Sequence, residues 1–225
     1  MDGNGRWAER RGVSVTDGHR AGADALHRTT EAALALGVSE LTVYGFSTEN
    51  FTRDPDEVAG IMRLFVDQVE REAPIMRKRG SRMCFMGRRE LLGDEIRERM
   101  RWAEELTATP DPTMTLCIAF AYGGRAEIVD AARAAAAADG IDALTEESLR
   151  ARLYRPELAD PDLIVRTAGE QRTSNFLVWQ SAYSELVFSD TLWPDYGEDD
   201  LRAALLEYGS RDRRYGGRAP RAASA

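Results

Sequence analysis

The densest chemistry in this chain lies in the run 166–185, where Arg166, Arg172 and Ser174 stand close together and Glu185 follows an aromatic-rich segment. Arginine binds phosphate through a planar fork of donors, and a serine hydroxyl adds one more donor at short range. A carboxylate such as Glu185 is a hard oxygen ligand of the kind a divalent cation takes beside phosphates. The cluster therefore points to a phosphate-bearing small molecule. A second polar stretch, Ser47-Thr48-Glu49-Asn50-Phe51-Thr52-Arg53, follows the apolar run 41–46. In a parallel sheet, the carboxyl end of a strand is where ligands bind. A third candidate is Asp2-Gly3-Asn4-Gly5-Arg6-Trp7. Its glycines would let a backbone approach an anion at a helix start, although G-x-G alone reads first as a plain turn.

Strands and helices must hold these three stretches together. Apolar residues Ala25, Leu26, Thr29, Ala33 and Leu36 share one face of a helix expected over about 18–36, which Gly37 is placed to end. Asp54-Pro55-Asp56-Glu57 is a helix start, with an Asp cap and Pro at the first position. Its apolar stripe (Val58, Ile61, Met62, Phe65, Val66, Val69) fits a core face or the wall of an apolar tunnel, and Pro74 is expected to kink or end it. Strands are expected over 83–86, 114–120, 162–165 and 184–188, and helices over 94–106, from Gly124 through about 138, after Thr145, and over 198–211. Tyr122-Gly123-Gly124-Arg125 forms another strand-to-helix turn. Alternating strands and helices imply an α/β fold around a mostly parallel sheet flanked by helices, in one domain over 1–217 with a disordered tail over 218–225.

Composition narrows the classes. At 225 residues, with 43% hydrophobic and 30% charged residues, the chain can bury its own core. A net charge of −8 argues against a nucleic-acid binder, though not against local arginines holding an anion. Cys84 and Cys117 sit in apolar runs and read as reduced core residues of a cytoplasmic protein. His19 and His27 lack companions at zinc spacing, and no apolar run reaches the ~18 residues of a membrane span.

Taken together, the motifs resemble a known family. Asp2-Gly3-Asn4-Gly5-Arg6-Trp7-Ala8, Gly18-His19-Arg20-Ala21-Gly22, Phe46-Ser47-Thr48-Glu49-Asn50-Phe51, Tyr122-Gly123-Gly124-Arg125 and the run 166–185 occur in the order and spacing of the cis-prenyltransferases. Arg213-Arg214-Tyr215-Gly216-Gly217 is similar to that family's C-terminal R-x-G element, so the resemblance spans nearly the whole chain. It implies Mg²⁺-dependent condensation of isopentenyl diphosphate with an allylic diphosphate, making a cis double bond. Most directly it implies a polyprenyl diphosphate for cell-wall lipid carriers. A short-chain synthase and a non-catalytic partner subunit are the alternative readings.

The resemblance also implies residue roles. Asp2 acts on Mg²⁺ and the allylic diphosphate, with Gly3, Asn4, Gly5 and Arg6 around that diphosphate and Trp7 beside them. Arg166, Arg172 and Ser174 hold isopentenyl diphosphate, and Glu185 is the second metal carboxylate. Ser47, Thr48, Glu49, Phe51 and Arg53 line the substrate region with His19, which reads equally as a structural hydrogen-bond partner. Asn50 stands where the proton is removed, and as a neutral amide it is expected to orient the accepting oxygen rather than take the proton. A homodimer is implied, with Trp179, Tyr183 and Trp193 in core and dimer packing, and peripheral membrane contact through the lipid product. The family usually has a strand before the Asp2 motif, where this sequence has Met1. Weak stability and poor activity are expected if the chain begins there. Val15 replaces a frequent arginine, and Ala121 a frequent asparagine.

Overall fold

The computed structural model describes residues 1–212, so the 213–217 element and the 218–225 tail lie outside the described residues. The elements alternate as expected. Helices α1 (Asn4–Arg11) and α2 (Val15–Ala35) precede strand β1 (Glu40–Ser47) and a 3₁₀ turn (Thr48–Thr52). Then come α3 (Pro55–Lys78), β2 (Arg82–Met86), α4 (Asp94–Leu106), β3 (Thr115–Tyr122), α5 (Gly124–Asp139) and α6 (Glu146–Arg150). The chain closes with β4 (Leu163–Arg166), β5 (Glu185–Phe188) and α7 (Glu198–Gly209).

Among the described residues every strand pairing is parallel, in keeping with the α/β expectation, and the strands fall into two sheets, β1-β3-β2 and β4-β5. Strand β3 is buried along its whole length. Alternation along it divides the core. Leu116, Ile118 and Phe120 pack with Phe46, Phe65 and Phe85 against α2, α3 and α4, whereas Cys117 and Ala119 pack with Cys84, Met86 and Leu177 on the other face, where Tyr122 joins them after the alternation breaks at Ala121. Cys84 and Cys117 are buried free thiols directly opposite one another in the β2–β3 register.

Three features differ from, or add to, what the sequence suggests. Helix α3 runs through Pro74 to Lys78. Pro74 lies on the exposed face while Ala73 and Met76 are buried. The Glu70 carbonyl, which loses its usual N–H donor to the proline, belongs to a residue that faces water, and packing on the opposite face carries the helix past this point. Ala121 sits at φ 51°, a left-handed conformation that asparagine tolerates better than alanine. Relatives with Asn there thus have a conformational reason. Finally, α1 and α2 approach so closely that a Cβ on Gly18 would lie 2.4 Å from the Asn4 carbonyl oxygen, and one on Gly22 2.5 Å from Asn4 Oδ1.

Candidate active site

The carboxyl end of β4 meets the start of α1. Arg166, the last residue of β4, sends Nη2 to Asp2 Oδ2 at 2.9 Å and Nη1 to Ser174 Oγ at 2.7 Å, and it also donates to the Arg172 carbonyl. One guanidinium thus ties together motifs at the two ends of the described chain. Burial pushes the Asp2 carboxyl up, but the hydrogen bond and charge of Arg166, with the charge of Arg6, outweigh it and hold the group below its ordinary value. The backbone of Asp2 is pinned as well: its N–H donates to Thr167 Oγ1 at 2.9 Å, and its carbonyl accepts from the Trp193 N–H at 2.9 Å.

Around this joint the arginines rest on carboxylates. Arg6 lies 3.5 Å from Asp2 and 3.3 Å from Glu170, and donates to the Ala168 carbonyl at 3.0 Å. Arg172, well exposed, pairs with Glu170 at 2.5 Å. Arg6 and Arg172 are thus each already paired with a carboxylate. Gly3 caps α1 at φ 110°, where a Cβ would come 2.9 Å from Leu192 Cδ2, and Gly5 has open space beside it. The backbone of the arginine loop is itself unusual: Ala168, Ser174, Asn175 and Leu177 all have positive φ. Such strain concentrates at functional sites.

The 47–53 segment closes the adjoining side. Ser47 and Asn50 form a reciprocal cap of the 3₁₀ turn, the Ser47 N–H donating to Asn50 Oδ1 at 2.9 Å and the Asn50 N–H to Ser47 Oγ at 3.2 Å. Thr48 Oγ1 donates to Glu49 at 3.2 Å, and Phe51 packs edge-on against Phe46. His19 and Arg53 meet on one carboxylate, Glu57, at 3.3 and 3.0 Å. Burial lowers the His19 pKa despite Glu57. Below this rim an apolar cavity runs between α2, α3 and the sheet, walled by Leu26, Gly45, Ile61, Phe65, Ile118 and Phe120.

Two expected residues are placed elsewhere. Glu185 opens β5, three residues of parallel register away from the strand end that carries Arg166, and pairs with Arg211 at 2.8 Å. Within the chain it is not brought to Asp2. Trp7 turns to Asp195, donating Nε1–H at 2.8 Å, with the Arg11 guanidinium 4.5 Å over its ring. Trp193 is core: it is buried and donates to the Gly22 carbonyl. Trp179 packs on Ala131, Leu149 and Leu153, and Tyr183 is 72% exposed. Sequence reasoning missed Glu57, Thr167 and Glu170. Only Glu170 carried a local signal, as the one carboxylate between Arg166 and Arg172.

Magnesium fits part of this donor set. Mg²⁺ is usually held by one or two carboxylates plus substrate phosphates. Asp2 qualifies: it is partly exposed, and its two oxygens face separate arginines. Among the described residues, no three His, Cys, Asp or Glu side chains gather as a complete metal cage. The arrangement suits a cation that arrives with a diphosphate.

Known proteins carry the same pattern. A family model described as "Putative undecaprenyl diphosphate synthase" matches residues 1–216. An isoprenyl transferase of Caulobacter vibrioides is 50% identical over 96% of this chain and 85% of that protein. One of Thermotoga maritima is 47% identical over 96% of this chain and 94% of that protein. The crystal structure of lavandulyl diphosphate synthase from Lavandula x intermedia, in complex with dimethylallyl diphosphate, superposes with a TM-score of 0.90 at 35% identity, covering 96% of this chain and 95% of that one.

Proposed function

The chain belongs to the undecaprenyl diphosphate synthase family and is a cis-prenyltransferase, and on that premise we propose that its two substrates meet across the Arg166 joint. The allylic diphosphate lies at the start of α1, over Gly3, Asn4, Gly5 and Arg6. Isopentenyl diphosphate is held by Arg166, Arg172 and Ser174. The observation that carries this reading is the single Arg166 fork linking the Asp2 carboxylate to the Ser174 hydroxyl. It supports two anionic half-sites sharing one cation.

In the reaction, the allylic C–O bond breaks and its electron pair leaves with diphosphate. The alkene of isopentenyl diphosphate forms the new C–C bond, and loss of one proton makes the new cis double bond. A Mg²⁺ held by Asp2 would supply positive charge beside the departing diphosphate. Arg6 and the first N–H groups of α1 stabilise the same developing charge, and being fixed beforehand they need no reorganisation. Arg166, Arg172 and Ser174 position the alkene, turning a bimolecular encounter into a local one. Asn50 does not take the proton: its Oδ1 already accepts from the Ser47 N–H, so its NH₂ is left to orient a nearby oxygen. Within the chain the Glu185 carboxylate pairs with Arg211, as the Asp2 carboxylate pairs with Arg166, and to serve as the second metal carboxylate it would have to leave that pair.

The growing chain enters the cavity between α2 and α3, whose apolar wall favours a polyprenyl product and a role in cell-wall lipid carrier synthesis. Among the described residues no helix is long and apolar enough to cross a membrane. This reading makes the enzyme a cytoplasmic homodimer with peripheral membrane contact through its lipid product. The test is incubation with labelled isopentenyl diphosphate, Mg²⁺ and a series of allylic primers, followed by sizing of the products. Long products are expected. Stopping after one or two additions would replace this with the short-chain reading, and no turnover at all would favour a partner subunit.

A further inference from the structure

The arginine loop is tied to the rest of the site through Asn175, a residue with no role so far. Its backbone carbonyl accepts the Gly124 N–H at 2.8 Å, and its Oδ1 accepts the Arg125 N–H at 2.8 Å. Helix α5 has no side-chain cap from its own N-cap residue, Gly123. Its first turn is thus capped from a loop fifty positions on. The other side of the same amide, Nδ2, donates to Glu49 Oε1 at 2.9 Å. The amide orientation follows from the network, because only this one gives the backbone N–H an acceptor and the carboxylate a donor.

The packing around this junction is tight. A Cβ on Gly123 would stand 2.7 Å from Thr48 Oγ1 and 2.9 Å from Asn175 Nδ2, so the turn before α5, the 3₁₀ turn and the arginine loop are in direct apposition. Asn175 itself is left-handed at φ 65°, directly after Ser174 at φ 49°. The position asks for a left-handed backbone, an acceptor and a donor at once. Glycine supplies only the first, aspartate lacks the donor, and alanine lacks both side-chain functions.

We propose that Asn175 is a positioning residue that locks the Arg172–Ser174 grip to the Glu49–Asn50 turn, so that the alkene and the group that orients its departing proton are held in fixed relation. This rests on the two-half-site reading above. The substrate is touched by Ser174 and the turn, while Asn175 acts through them. A displacement of about 1 Å between such groups costs about a hundredfold in rate.

Asn175→Asp isolates the link. It keeps the acceptor for the Arg125 N–H and tolerates the left-handed backbone, yet sets a carboxylate against Glu49. The expected result is a KM for isopentenyl diphosphate raised about tenfold or more and a lowered kcat, with the melting temperature little changed because the α5 cap survives. Hydrogen exchange on the ligand-free protein is the second readout, and it should quicken in 47–53 and 172–178 together. Wild-type kinetics, or faster exchange in only one segment, would overturn the proposal. If Asn175→Asp does not fold, Asn175→Gly, which keeps the backbone and removes both side-chain bonds, is judged by the same two readouts. Ser174→Ala, run in parallel, separates the underlying reading. Unchanged isopentenyl diphosphate binding there refutes the half-site assignment, whereas the exchange result stands without any ligand.

Discussion

Replacing Arg166 with lysine keeps the charge and removes the fork. In the structure Arg166 reaches Asp2 at 2.9 Å with one terminal nitrogen and Ser174 at 2.7 Å with the other, from a side chain only 15% exposed. A lysine ammonium is one point and can serve one of these groups, not both. Each hydrogen bond to a charged group is worth about 1.5–3 kcal/mol, and losing one while the other shortens or lengthens should cost about 2–3 kcal/mol in the transition state. At about 1.4 kcal/mol per factor of ten, kcat/KM for isopentenyl diphosphate should fall by about 30- to 150-fold. Stability should change far less, because Asp2 keeps Arg6 at 3.5 Å and its backbone bonds to Thr167 and Trp193. The assay is steady-state incorporation of labelled isopentenyl diphosphate at saturating allylic substrate, with a thermal melt alongside. An Arg166→Lys enzyme within threefold of wild type would refute the shared-cation argument.

Other perturbations test separate links. The Asp2 carboxyl lies below its usual 3.8, so the stability it contributes is complete above that pH and is lost as pH falls through its lowered folded value. The difference in melting temperature between wild type and Asp2→Asn should therefore shrink as pH falls below 3.8, as differential melts would show. Gly45 sits at an irregularity in the β1–β3 register, and a Cβ there would approach Phe120 at 3.3 Å and Ile118 at 3.4 Å on the cavity wall. Gly45→Leu should shorten the products on a sizing gel, and an unchanged length distribution would mean the chain does not occupy this cavity. Ala121→Gly should be nearly neutral in chemical denaturation: relief of about 1 kcal/mol of left-handed strain is offset by about 0.8 kcal/mol for the lost buried methyl.

What the sequence revealed, and what it hid, follows from the range of the interactions. Helix α4 is read to its ends from local signals, and the Asp54 cap with Pro55 marks the start of α3 without ambiguity. The same local logic leaves Pro74 open between kinking and ending α3, since whether a proline ends a helix depends on which face it occupies and on packing that no single segment shows. The string motifs bring the right stretches together, and Arg166, Ser174 and Asp2 do meet. Other links join residues far apart in the chain: Thr167 to Asp2, Asn175 to Glu49, Glu185 to Arg211. No spacing rule encodes those pairings. Glu57 was visible as helix-start charge, but its role as the common acceptor for His19 and Arg53 appears only once α2 and α3 lie side by side.

The most direct test of the two half-sites measures equilibrium binding of isopentenyl diphosphate, and separately turnover, in Asp2→Ala and Ser174→Ala proteins. Asp2→Ala should bind isopentenyl diphosphate within a few-fold of wild type yet show no product, whereas Ser174→Ala should bind it at least several-fold more weakly and still turn over at high concentration. Turnover retained without Asp2, or isopentenyl diphosphate binding lost with Asp2 and untouched by Ser174, would contradict the assignment.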